Sequence, residues 1–160
     1  MSTRGVIYVH SAPAAVCPHV EWAISGVLET EVTLRWSPQE AADGQLRAEC
    51  TWRGPVGGSG AIAGALRAWP VIRFEVTEDP SEGVDGQRFC YAPGLGLWCG
   101  RTSANGDIVI GEDQLRGAMS GRGQMRGRLH QLLGTAWDEE LEVFRRGGDG
   151  APATYLHQVG

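Results

Sequence analysis

Over residues 5–79 the spacing of apolar residues switches between a period of two and a helical period, and this order of switches constrains the fold more than any other feature. Residues 5–10 (GVIYVH) are β-branched and aromatic and end at Ser-Ala-Pro, the signature of a short buried strand. Pro18 suits a first helical turn, and Val20, Ala23, Ile24, Val27 and Leu28 follow at helical spacing. EVTLRW (residues 31–36) then alternates, with Val32, Leu34 and Trp36 opposite Glu31, Thr33 and Arg35. After the turn-rich SPQEAADGQ, LRAECTWR alternates again, setting Leu46, Ala48, Cys50 and Trp52 against Arg47, Glu49, Thr51 and Arg53. A glycine-rich break, RGPVGGSG, leads to a second helix marked by Ile62, Ala65, Leu66 and Trp69 and closed by Pro70. VIRFEVTED places Ile72, Phe74 and Val76 on one face. The order β-α-β-β-α-β predicts an α+β chain. Its core over residues 5–78 is a ferredoxin-like split βαββαβ antiparallel sheet, strand order 4-1-3-2, with both helices on one face.

The remaining residues read as an elaboration of that core within one domain spanning 1–160, by β-hairpins and then helices. RFCYAPGLGLWCGR is a hairpin, and a loop symmetric about PGLG sets Cys90 opposite Cys99, as two half-buried neighbours or a cross-strand thiol pair. Asn105-Gly106 before DIVIG is a second hairpin signal, and Gly111-Glu112-Asp113 a helix start. Leu129, Leu132, Leu133, Ala136, Trp137, Leu141 and Phe144 form the strongest helical stripe; Gly134 and Thr135 divide it, with Thr135 recapping against Asp138. TYLHQV reads as a final strand.

Composition narrows the function classes. The net charge is −5, all fourteen cations are Arg, and there is no basic tract, which argues against nucleic-acid binding. No apolar run approaches a membrane span and the first residues lack a signal-peptide layout, so a cytoplasmic protein is expected. The cysteines, Cys17, Cys50, Cys90 and Cys99, show no CxxC spacing, and no metal or cofactor is expected.

YVHSAPAAVCPHVEW carries the chemistry-bearing residues. In the predicted topology His10, Ser11, Cys17 and His19 gather at one strand-to-helix edge, near SPQEAADGQ and Trp69-Pro70, away from the glycine-rich loop. Cys17, as a residue capping the helix before Pro18, would sit at a helix N-terminus with His19 nearby, the sketch of a Cys-His nucleophile without an orienting third residue. RGPVGGSG could offer backbone N–H groups to an anion, but lacks the P-loop and dinucleotide spacings. On the sheet face away from the helices, Tyr8 and His10 would stand among Arg47, Glu49, Thr51, Arg73 and Glu75, as a charge lattice partly covered by the C-terminal hairpins or as the lining of a pocket. The acid-first, base-last WDEELEVFRR is what a helix dipole favours.

At RGVIYVHSAPAAVCPHVEWA, RFEVTEDPSEGVDGQRFCYAPGLG, LLGTAWDEELEVFR and the closing YLHQV, the chain resembles a small single-domain actinobacterial family of unknown function. The resemblance carries no activity or catalytic residues; it implies a link to enzymes of fatty-acid and acyl-chain synthesis, and the absence of lysine agrees with a GC-rich source. The reading that results is a non-catalytic cytoplasmic binding or regulatory protein with a protein partner, without nucleic acid or membrane, and open to homodimer formation. Tyr8, His10, Ser11, Cys17, His19, Arg47 and Arg73 are its candidate binding residues. Two alternatives stand beside it. One is a small hydrolase or transferase using Cys17 or the His10/Ser11/His19 edge; the other is a domain that binds a small effector.

Overall fold

The computed structural model describes residues 1–146. Its centre is a seven-stranded antiparallel sheet, order β2-β3-β1-β4-β5-β6-β7, with five helices. In chain order the elements are β1 (Ser2–Pro13), α1 (Cys17–Leu28), β2 (Ser37–Pro38), β3 (Gln45–Pro55), α2 (Gly58–Leu66) and β4 (Arg73–Glu78). There follow β5 (Gly86–Ala92), β6 (Gly96–Thr102), β7 (Ile108–Val109), α3 (Glu112–Ser120), α4 (Met125–Leu133) and α5 (Thr135–Arg146). The expected TYLHQV strand lies outside the described residues.

Three layers follow from which side of each strand is apolar. On one face Ile7 and Val9 of β1, Ala48 and Trp52 of β3, Phe74 and Val76 of β4 and Tyr91 of β5 pack on Val20 and Ile24 of α1 and Ile62 and Leu66 of α2. On the other, Cys90 and Ala92 of β5 and Trp98 of β6 pack on Leu141 of α5, with Trp137 beside them. Phe74 to Glu78 of β4 are all buried, since this strand is covered on both faces. A strand sandwiched in this way must place its polar residues against partners, and Glu75 and Glu78 both have them (below).

Trp52 fixes how closely β1 and α2 approach. Its indole N–H donates to the Thr77 carbonyl at 3.0 Å, across β1. Gly5, opposite Trp52 in the ladder, makes this reach possible: a Cβ there would lie 1.8 Å from the Thr77 oxygen. A Cβ on Gly58 would meet the Trp52 ring at 2.7 Å, so this glycine of RGPVGGSG serves packing.

Four local expectations are corrected. EVTLRW is not a strand; pairing with β3 is confined to Ser37↔Arg47 and Pro38↔Leu46. Its alternation still buries Leu34, but α1 side chains replace the ladder: Val32 N–H donates to Ser25 Oγ at 2.9 Å and Leu34 N–H to Glu21 Oε2 at 2.7 Å. The cap of α1 is Val16, and Cys17 is the first helical residue. The β5–β6 loop is Pro93-Gly94-Leu95, one residue shorter than symmetry about PGLG requires, so Cys90 opposes Trp98 and Cys99 opposes Phe89. A one-residue slip sends a side chain to the other face, so the two thiols face opposite ways and form no pair. All four cysteines are free. Finally, Gly134 divides α4 from α5 in the left-handed conformation (φ 70°), but the Thr135 hydroxyl meets His130 Nδ1 at 2.9 Å and does not recap against Asp138.

Candidate functional site

Around Tyr8, His10 and Glu75 the face away from α1 and α2 is covered by helix α5, not by the hairpins, and there the expected charge lattice becomes a buried network, while Glu49 and Thr51 stay exposed. β1 carries a bulge: Val9 pairs with Ala48 and Phe74, while the next partners are Ala12↔Leu46 and Ser11↔Arg73. The extra residue resets the alternation, so Ala12 rejoins the core of Ile7 and Val9 while His10 and Ser11 both meet polar partners from β4. Tyr8 and His10 stack with parallel rings, centroids 6.1 Å apart, and both are buried.

Glu75 is the hub. His10 Nε2 lies 2.6 Å from its Oε2, and because an ionised carboxylate only accepts, that ring nitrogen is the donor. Arg145 Nε donates to the same oxygen at 2.9 Å and Arg145 Nη2 donates to Oε1, while the Cys90 thiol donates to Oε1 at 3.4 Å. Arg145 reaches on to Asp138 at 3.0 Å, and Asp138 also faces Arg88 at 3.6 Å. Burial alone would raise the Glu75 carboxyl, but hydrogen bonds and charge from His10 and Arg145 outweigh it and hold the group far below the usual carboxylate range. Desolvation and the Glu75 charge push the Cys90 thiol well up, and burial, with Glu49 and Glu75 nearby, pushes the Tyr8 phenol above its ordinary value. The network's His10, Glu75, Cys90 and Arg145 members are buried, and together they fasten α5 to the sheet.

The remaining candidates separate. Ser11 is buried and takes a hydrogen bond from Arg73 at 3.4 Å; Arg73 pairs with Glu140 at 3.3 Å and lies 4.1 Å over the Phe144 ring. Gln39, from the SPQEAADGQ loop, donates to the His10 carbonyl at 2.7 Å and to the Phe144 carbonyl at 3.0 Å, so that loop does reach the edge predicted for it. Cys17 and His19 have different partners: the Cys17 thiol, raised by burial and then by Glu21, donates to the Pro13 carbonyl at 3.4 Å, and exposed His19 stacks on Trp69. A thiol with a raised pKa is a poor nucleophile. Arg47 is half-buried on β3, opposite Ser37, outside the network.

The glycine-rich loop holds an anion of the chain's own. Glu78 accepts from Gly57 N–H and from the Ser59 hydroxyl, each at 2.7 Å, so its carboxylate occupies the N-terminus of α2 where an external anion was considered. The neighbouring crevice between Thr77, Glu78, Gln87, Arg88 and Thr102 has a volume of about 20 Å³, room for about one water.

Two solvent-facing features were not singled out in the sequence. One is a groove of about 450 Å³ between the start of β1 and the end of β3, lined by Arg4, Val6, Thr51, Trp52, Arg53 and Asp79. The other is the α3–α4 hairpin. Only Ala118 of α3 is buried and no residue of α4 is, leaving Leu115, Met119, Met125 and Leu133 exposed. From Gln114 to Gly134 there are four arginines and no acidic residue, in a chain of net charge −5. A periodicity reading credits Leu129, Leu132 and Leu133 to the core, because it cannot tell an apolar face that packs from one that waits for a partner.

Among the described residues no helix is long and apolar enough to cross a membrane. A family model described as a protein of unknown function, DUF3145, matches residues 6–158. No curated protein and no solved structure matches the chain.

Proposed function

The chain belongs to the DUF3145 family, whose description assigns no function, and we propose that it is a non-catalytic binding protein that docks an acidic protein surface on its α3–α4 hairpin. One observation carries this reading: two consecutive helices bury a single residue between them, Ala118, yet present Leu115, Met119, Met125 and Leu133 to solvent. Exposed apolar side chains gathered on one element mark an interaction surface, and methionine suits a surface that adapts to its partner. The charge selects the partner. Arg122 and Arg126 are exposed and form no ion pair among the described residues, so they are available to carboxylates.

The groups that could have supplied chemistry support the same reading from the other side. His10, Cys90 and Glu75 are sealed against each other, and Cys17 holds a protonated thiol. We read β2-β3-β1-β4 as the split βαβ order with its second strand reduced to two residues, a scaffold on which the C-terminal helices are displayed. Enzymes of acyl-chain synthesis, which the resemblance implies, are the first partners to try, in the cytoplasm.

The test is co-purification from the native host at native abundance. A stoichiometric acidic partner should be retained by the wild type, and lost on Met119→Asp with Met125→Asp or on Arg122→Glu with Arg126→Glu. Retention by both double variants would end the proposal; self-association lost in the same variants would replace the partner by a second copy of this chain.

A further inference from the structure

We propose that the groove between β1 and β3 binds a small phosphate monoester between Arg4 and Arg53. These two residues are direct partners in the antiparallel ladder. Like charges placed opposite each other on one sheet face repel, and a fold normally separates them or sets an acid between them. Here the one carboxylate at hand is spent on orientation: Asp79 accepts from Arg4 Nε at 2.9 Å. That bond fixes the guanidinium plane and leaves both Nη groups of Arg4 without a hydrogen-bond partner among the described residues. Arg53 is exposed and has no ion pair among them. Both guanidinium groups line one groove, and beyond the Arg4–Asp79 pair most of their donors have no partner among the described residues; a like-charge pairing that is only partly relieved is the kind of local-rule violation expected at functional sites.

The groove fits the ligand in size and chemistry. Its volume, about 450 Å³, is that of a small-molecule site. Thr51 adds a hydroxyl, and Val6 supplies an apolar contact. A second depression of about 330 Å³ continues from Arg4, Arg53 and Asp79 to Ser2, Thr3 and Ser81, adding hydroxyl groups where the body of a polar ligand would extend. A phosphate monoester brings close to two negative charges and three acceptor oxygens, enough for both arginines at once, whereas a single carboxylate satisfies one fork. The site lies on the same sheet face as the Glu75 network, but Arg4 is six residues from His10, about 20 Å along an extended strand, so α5 leaves it open.

The same phosphate can belong to a soluble metabolite or to a lipid headgroup, and the experiment separates them. Glycerol 3-phosphate is titrated calorimetrically into the protein with glycerol as control; in parallel, phosphatidylcholine vesicles with and without phosphatidic acid are tested for co-sedimentation. Saturable binding in either arm, at least tenfold weaker in Arg53→Ala and in Arg4→Ala, is the expected result. Arg53→Ala removes a directly opposed like charge, so its melting temperature without ligand should be unchanged or raised; its loss of binding then cannot come from unfolding. Arg122→Glu with Arg126→Glu should bind as the wild type does, which separates this site from the protein-docking surface. Absence of saturable binding in both arms, or wild-type binding by Arg53→Ala, overturns the proposal.

Discussion

Arg145, in the last turn of α5, donates to both carboxylate oxygens of Glu75 in the middle of β4, 70 residues away in sequence. The pair is buried on both sides, so it is costly to form and far costlier to break singly. Arg145→Met should destabilise the protein by about 3–5 kcal/mol in urea denaturation, because Glu75 is then a buried charge that has lost its guanidinium partner. Glu75→Met combined with Arg145→Met should recover much of that loss. A double variant as unstable as the sum of the two single variants would show that the residues act independently.

The same carboxylate sets an acid limit. Its folded-state pKa lies below the ordinary value of 4.5, so the unfolded chain takes up the proton first as pH falls. The stability that Glu75 contributes is therefore complete above the ordinary value and drains away below it, toward the folded pKa. Unfolding free energies measured from about pH 6 down to about pH 3 should fall more steeply for the wild type than for Glu75→Gln, which has no proton to take up at this position. Parallel slopes would mean that other carboxylates govern acid unfolding.

Thiol labelling at neutral pH should follow exposure. Cys99 is exposed, Cys50 half-buried, and Cys17 and Cys90 buried, with every thiol pushed above its ordinary pKa first by burial. One cysteine, Cys99, should react readily with an aromatic disulfide reagent, Cys50 more slowly, and Cys90 only at the rate of global unfolding. A Cys17 that reacts faster than Cys99 would revive the nucleophilic reading.

Sequence periodicity identified the residues on each face well and the hydrogen bonding poorly, for physical reasons that particular residues make plain. Ile7, Val9, Ile24, Ile62, Phe74 and Val76 are buried where alternation and helical spacing put them, because side-chain burial is what those patterns encode. EVTLRW alternates for the same reason and buries Leu34, yet Ser25 and Glu21 meet its N–H groups, and no pattern in the segment itself distinguishes a ladder from two side chains. The Cys90–Cys99 register failed by one residue, since a three-residue and a four-residue loop around Gly94 and Gly96 look alike until the backbone is seen. Alternation put Glu75 on one face with His10, but Arg88 and Arg145 could be seen only as charges; the network exists because α5 is laid over β4 and β5. A glutamate in the centre of a β-branched strand was the available signal that something must neutralise it.

Glu78 provides the sharpest check on what the glycine-rich loop does. Its carboxylate accepts from Gly57 N–H and the Ser59 hydroxyl and is itself 4% exposed, so the N-terminus of α2 is satisfied from within the chain. Glu78→Ala removes both acceptors, leaving the amide of exposed Gly57 to solvent and the buried Ser59 hydroxyl with the longer 3.5 Å contact to Gln87 Oε1, a loss of about 1–2 kcal/mol by urea denaturation. Glu78→Gln keeps one acceptor oxygen and should lose less, the remainder reflecting the charge at the helix end. Amide exchange on Gly57 should accelerate in the alanine variant well before exchange in β4 does, because the first turn of α2 opens locally. If Glu78→Ala is as stable as the wild type and its Gly57 amide stays protected, the loop is held by its backbone geometry alone, and the carboxylate is a bystander at a helix start left open to an outside anion.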